Sequence, residues 1–129
     1  MFAPKLPTKL DTSFSVEKAH AMQLCLSKRV IRRDMLPKNI RWVAGVDTAY
    51  RADVSIGAAA VLDYNSLSIV ESKKTKVKTR FPYIPTFLSF REGPAIIKLV
   101  KELRIKPEVL MLDSQGISHP LFCGCASYV

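Results

Sequence analysis

Three carboxylates stand where a carboxylate needs a reason. Asp47 lies inside the apolar run VAGVDTAY, Val43 to Tyr50, where a buried unpaired charge would be costly. Asp113 ends the run Val109-Leu-Met-Leu112 and leads into Ser114-Gln115-Gly116. The junction of an apolar strand with a glycine-bearing loop is where open α/β sheets place ligand-binding groups. Glu92 closes the stretch FPYIPTFLSFRE, Phe81 to Glu92. Singly, each has an ordinary role: a strand-end aspartate in water, a turn aspartate, and the partner of Ser89 in a Ser-x-x-Glu capping box. Asp47 and Asp113 mean more as a pair. On neighbouring strands of one sheet, their hard oxygen donors would favour Mg²⁺ or Mn²⁺. Such an ion can activate water and stabilise a phosphodiester transition state. Glu92 is a candidate third ligand.

Tyr83 lies in the unit Pro82-Tyr83-Ile84-Pro85. It is either an aromatic packed under a proline turn or a rigid wedge for insertion between bases. Flanking prolines would lower the ordering cost of such a wedge. The preceding run Lys73-Lys74-Thr-Lys76-Val-Lys78-Thr-Arg80 would either hold phosphates or form a solvated strand face. His119-Pro-Leu-Phe-Cys123-Gly-Cys125 lacks both a C-x-x-C pair and a fourth ligand, so buried or unpaired thiols fit it better than zinc.

The elements that must position these residues belong to one domain. The chain has 129 residues, 48% hydrophobic and 24% charged, which is a globular composition. Twenty Lys and Arg against eleven Asp and Glu give a net charge of +9, which suits a polyanionic partner such as nucleic acid. No apolar run approaches the roughly 20 residues that span a bilayer. The N-terminus has no signal-peptide core, and the three cysteines form no framework, so a cytoplasmic location without membrane association is expected.

Residues 1–12 read as an irregular arm. Ser13 or Ser15 caps a helix running to about Arg32, with Val16, Ala19, Met22, Leu26 and Val30 on one stripe. Three strands follow, Arg41 to Tyr50, Ser55 to Asp63 and Leu67 to Lys78, as an antiparallel meander. A helix lies between Phe87 and Leu103, its start set by the Ser89 capping box or by Pro94 in a first turn. Glu108 to Leu112 is a short, buried, parallel strand, and nothing after Gly116 offers a helix. The order gives an α/β sheet whose last strand returns by a crossover.

VAGVDTAY, FPYIPTFLSFRE and LMLDSQGISHP, at these separations, resemble the endonuclease V family of nucleases acting at deaminated adenine (inosine). The resemblance covers about residues 15 to 128. It implies a ribonuclease H-like α/β fold: a three-strand antiparallel meander, then a helix and a parallel strand, with the C-terminal strand and helices missing. It implies Asp47 and Asp113 as principal Mg²⁺ ligands, with Mn²⁺ as the alternative ion, and Glu92 as the third acidic residue of catalysis and metal binding. Tyr83 would fill the space left by the everted lesion base, flanked by Pro82, Ile84 and Pro85, with Gly116 and His119 also on the nucleic acid. The implied reaction is hydrolysis of a phosphodiester 3′ of inosine in DNA, and in RNA as a second substrate, leaving the base attached. DNA repair is the implied role.

Three departures qualify the likeness. Asp113-Ser114-Gln115-Gly116 stands for the family's Asp-Gly-His/Asn-Gly, and His119-Pro120-Leu121-Phe122 for His-Pro-Arg-Arg. The family also continues beyond Ala126-Ser127 with a fifth strand, further helices, a catalytic lysine and a late metal-site residue. A single incomplete domain is therefore expected over 1–129, with an open sheet edge available for self-association. The alternative function is a non-catalytic nucleic-acid-binding member of the family.

Overall fold

Alternating small and apolar residues build the centre of the sheet. The computed structural model describes residues 15–129, so the arm over 1–12 and the cap at Ser13 lie outside the described residues. The elements are α1 (Val16–Ser27), β1 (Trp42–Arg51), β2 (Val54–Asp63), β3 (Ile69–Lys78), α2 (Leu88–Glu102), β4 (Val109–Leu112) and α3 (Cys125–Tyr128). The sheet order is β3-β2-β1-β4. The first three strands pair antiparallel, and β4 lies parallel to β1 after the α2 crossover. This is the α/β architecture expected from the sequence, over the part that is present.

One sheet face is covered by α2. Ala44 and Val46 of β1, with Ala59 and Val61 of β2, pack on Ile96, Leu99 and Leu103. The helix approaches β2 closely because Gly57 has no side chain: a Cβ there would meet the Ala95 carbonyl oxygen and Leu99 Cδ2, each at 3.4 Å. Glu71 of β3 anchors the end of α2. Its carboxylate is buried and accepts the backbone N–H groups of Arg104 (3.1 Å) and Ile105 (2.8 Å). These hydrogen bonds hold its pKa below the usual glutamate value, the Ile105 bond contributing most.

A second apolar cluster lies beside the sheet. Phe81, Phe87 and Phe90 pack with Ala19 of α1, and Tyr128 of α3 covers Phe90 with ring centroids 5.5 Å apart. Three of the four aromatics in the Phe81–Phe90 stretch are thus structural.

Several boundaries differ from the sequence expectation. Ser15 does cap α1, accepting the Lys18 N–H at 3.1 Å, but the helix ends at Ser27 instead of Arg32. The Ser27 hydroxyl there bonds the Leu24 carbonyl. The buried face of α1 is Ala19 and Gln23, while Val16 and Met22 of the expected stripe are exposed. Helix α2 starts at Leu88 behind Phe87, which gives no side-chain cap, so the Ser89–Glu92 box does not form and Ser89 is buried inside the helix. Pro94 lies within the second turn rather than the first. Strand β4 is only half-buried, with Met111 64% exposed, because α2 covers just one of its faces. A single turn, α3, does form after Gly116; it packs on α2, with Tyr128 against Gly93. Among the described residues, the outer edge of β4 pairs with no strand, and no helix is long and apolar enough to cross a membrane.

Two stability predictions follow from these contacts. Glu71→Gln should lower the melting temperature at pH 7 by on the order of 5 °C, followed by circular dichroism. A carboxyl with a depressed folded pKa stabilises above its unfolded pKa and loses that contribution as pH falls through the folded value. The gap between wild type and variant should therefore be full at neutral pH and shrink below about pH 4. At Gly124 an added Cβ would lie 2.1 Å from the Gln115 carbonyl oxygen. Gly124→Ala should cost about 2 kcal/mol in urea unfolding, because backbone must move to make room.

Candidate metal centre and nucleic-acid interface

Parallel pairing sets the first two carboxylates side by side. The β1–β4 register runs from Val43 opposite Val109 to Val46 opposite Leu112. Asp47 and Asp113 each follow the last pair by one residue, and both are exposed on the sheet face away from α2. They line one open cleft of about 610 Å³, floored by Gly45, Ala58 and Ala60 and bordered by Met111. The absence of bulk at Gly45 and the two alanines keeps that floor low. An Asp47 carboxylate oxygen also accepts its neighbour's amide, Thr48 N–H, at 2.8 Å.

Glu92 approaches from the other side. It stands on α2, next to the hydroxyls of Thr48 and Tyr50 on the helix-facing side of β1. Burial pushes its pKa up, the two hydroxyls oppose that rise, and the negative charge of Asp47 adds to it. Burial, with the charge of Glu92, also pushes the Tyr50 phenol up to about 12. The buried Tyr50 hydroxyl makes no hydrogen bond of ordinary geometry, although Glu92 and Thr48 are near. The Arg91 guanidinium lies over the Tyr50 ring at 4.4 Å and donates to the Phe81 carbonyl. Consecutive residues of α2 therefore grip the end of β1.

The three acids are brought together in pairs, Asp47 with Asp113 and Asp47 with Glu92. Among the described residues no closed cluster of three ligand groups is formed. The donor set nonetheless fits a hard divalent cation. Two exposed carboxylates share a cleft, and Glu92 on the helix side is close enough to Asp47 to feel its charge, beside the Tyr50 hydroxyl.

A second cavity, about 380 Å³, opens between the proline turn and the loop after β4. Tyr83 and Pro85 form one wall, His119 and Pro120 another, with Ser114 and Gln115 between. Tyr83 is 56% exposed, the one aromatic of its stretch left outside the core. Ile84 instead packs against the Phe cluster, and Pro82 is half-buried. Gly116 does not line the cavity. Its carbonyl braces the loop by accepting the N–H groups of His119 and Gly124.

His119 is 4% exposed and its ring nitrogens are engaged. Nδ1 accepts the Leu121 N–H at 3.1 Å, so Nε2 carries the proton and donates to the Thr86 carbonyl at 2.8 Å. His119 thus positions the proline turn rather than offering a ring nitrogen to a ligand. Gln23 of α1 donates to the same carbonyl. Thr86 holds the strained left-handed conformation, φ 71°, between these two clamps.

The sequence pattern did not point to Gln23, Thr48 or Tyr50. For Thr48 and Tyr50 a signal was present: alternation along β1 puts them on the same face as Val46, opposite the helix that carries Glu92. Cys123 and Cys125 are buried free thiols. Burial, with the nearby charge of Glu92, raises Cys125 to about 12, so it is an inert core thiol at neutral pH.

Comparison with known proteins matches this arrangement. A family model described as Endonuclease V matches residues 25–129. Endonuclease V of Thermofilum pendens is 39% identical over 121 residues, covering 94% of this chain and 52% of that protein. The crystal structure of endonuclease V from Streptomyces avermitilis superposes with a TM-score of 0.83 at 34% identity, over 95% of this chain and 54% of the other. That of Ciona intestinalis endonuclease V, in complex with a 24mer DNA containing an inosine followed by a ribo-adenosine, superposes with a TM-score of 0.78 at 27% identity, over 88% and 52%. The chain spans about half the length of the curated relatives it matches. With the sheet order, the paired aspartates and the proline turn in place, the chain belongs to the endonuclease V family.

Proposed function

We propose that this chain serves as a metal-dependent endonuclease that cuts a phosphodiester on the 3′ side of inosine in DNA, with RNA as a second substrate, in the repair of deaminated adenine. The observation that carries this reading is the shared cleft of Asp47 and Asp113 at the ends of adjacent parallel strands. Mg²⁺ or Mn²⁺ would be held there by Asp47 and Asp113, with Glu92 from the helix side. The ion would supply Lewis-acid activation of water and of the phosphodiester.

The chain's own residues provide the positioning. Asp47, Ala58 and Lys74 are cross-strand partners in one row of the sheet, so Lys74 shares the face of the carboxylates. Lys76 and Lys78 continue on that face by alternation. These cations can hold the backbone of a strand whose scissile phosphate lies at the acids. Tyr83 stands at the rim of the second cavity, where it can fill a gap in the base stack while the cavity receives the everted base. The turn behind it is held by Gln23 and His119 through Thr86, so the ring is presented with little ordering cost.

The test is cleavage of single-stranded and duplex oligonucleotides carrying one inosine, with Mg²⁺ or Mn²⁺. A cut displaced to the 3′ side of inosine is expected, with Asp47→Ala lowering the rate roughly 10³-fold or more. Binding without any divalent-dependent cut would overturn the reading. Tyr83→Ala should weaken binding of the inosine strand by roughly tenfold, measured by fluorescence anisotropy, since stacking on an aromatic contributes about 1–3 kcal/mol per base. Equal affinity of wild type and variant would remove Tyr83 from the interface.

A further inference from the structure

The segment between α1 and β1 carries a second cationic surface that the reading above does not use. Lys28, Arg29, Arg32 and Arg33 are all exposed. Among the described residues none of the four makes an ion pair. The single carboxylate beside them, Asp34, is turned back to accept the Leu36 N–H at 2.9 Å. Four cations thus face solvent within six residues, which is the electrostatic footprint of a phosphate-binding track.

This segment is fastened at one point to the loop that carries the cavity-lining His119 and Pro120. The Arg32 guanidinium lies over the Phe122 ring, 4.7 Å from its centroid. Phe122 is a non-glycine residue at φ 55°, and its ring is 46% exposed. Its amide bonds the carbonyl of His119, the residue that lines the cavity and clamps Thr86. The aromatic is therefore tied through its backbone to a cavity-lining residue, and the guanidinium is laid across it. A stacked guanidinium keeps its in-plane N–H donors available for phosphate oxygens. Pre-placing it lowers the rotamer entropy lost on binding.

We propose that Arg32, held by Phe122 and flanked by Lys28, Arg29 and Arg33, binds the phosphate backbone of the strand leaving the Tyr83–His119 cavity. This track is carried by the segment between α1 and β1, a different part of the chain from the lysines of β3. Phe122 is a positioning residue and Arg32 the contact. The inference rests on the reading of the chain as a nucleic-acid enzyme and names a further contact surface for it.

The experiment is fluorescence anisotropy of the whole chain with a labelled single-stranded oligonucleotide carrying one central inosine, in EDTA, across a salt series. Arg32→Gln should weaken binding roughly 5- to 10-fold and reduce the slope of log affinity against log salt by about 0.7, one phosphate contact on a single strand. Phe122→Leu should weaken binding less and leave the slope unchanged, because the charge remains. Lys101→Gln, an exposed cation at the far end of α2, is the equal-charge control and should change neither. Shortening the oligonucleotide on one side of the inosine, and not on the other, should erase the Arg32 effect. If Arg32→Gln and Lys101→Gln are indistinguishable, or if neither shortening erases the effect, the inference is overturned. Inosine-directed cutting that persists in that case leaves the nuclease reading intact. A wild-type chain that binds no oligonucleotide overturns both.

Discussion

The parallel ladder between β1 and β4 decides where the chemistry stands. It is only four pairs long, and its start is fixed by a closed ring at Glu108 and Trp42. The Glu108 N–H donates to the Trp42 carbonyl at 3.0 Å, and the Glu108 carboxylate accepts the Trp42 N–H at 2.7 Å. From that ring the register can only advance residue against residue until Val46 meets Leu112. A one-residue slip would turn either Asp47 or Asp113 to the opposite face of the sheet. The α2 core and the Glu71 anchor hold the crossover that delivers β4 to this register. Much of the packing therefore serves the placement of two carboxylates that themselves contribute little to stability.

A second constraint acts at one carbonyl. The Thr86 oxygen takes donors from both Gln23 and His119, elements that lie far apart in sequence. The left-handed backbone of Thr86 costs on the order of 1 kcal/mol, which such over-determination can offset. Beneath it the Phe cluster fixes both ends of the Phe81–Phe90 stretch. The result is a short turn that cannot relax, with Tyr83 at its outer point. Rigidity here is a property of the contacts around the turn as much as of its prolines.

Much of this was legible in the sequence, for identifiable reasons. The meander, the crossover helix and the parallel strand follow from period-2 and period-3.6 patterns that tertiary packing reinforces. Asp47 and Asp113 stand out because a carboxylate within or at the end of an apolar run is rare, whereas Glu92 has an ordinary capping pattern and gains its role from the family resemblance. Helix ends were less legible. Ser89-x-x-Glu92 has the letters of a capping box, but burial of Ser89 and Phe90 against the core drew the helix start back to Leu88. Of the α1 stripe Ala19 is buried while Val16 and Met22 are not, because part of the neighbouring surface is polar: the Thr86 carbonyl selects Gln23, which an apolar count ignores. That both nitrogens of His119 are committed within the protein is visible only in the fold. The hydroxyls of Thr48 and Tyr50 could be found only after α2 was known to face them.

The charge distribution gives these parts a common direction. A chain of net charge +9 places three of its eleven acids, Asp47, Glu92 and Asp113, around the ends of β1 and β4. Lys74, Lys76 and Lys78 share the open face with Asp47 and Asp113, while Glu92 gains proton affinity from burial and from Asp47. Left without a counter-charge, the carboxylates would repel both one another and an incoming phosphate. A divalent cation held there would remove both penalties at once, and only where the acids converge. Surrounding lysines cannot substitute for it, because they are exposed, mobile and screened by salt within about 10 Å. The surface cations thus set the positive potential around the sheet, whereas the β1–β4 register sets where the two aspartates stand within it.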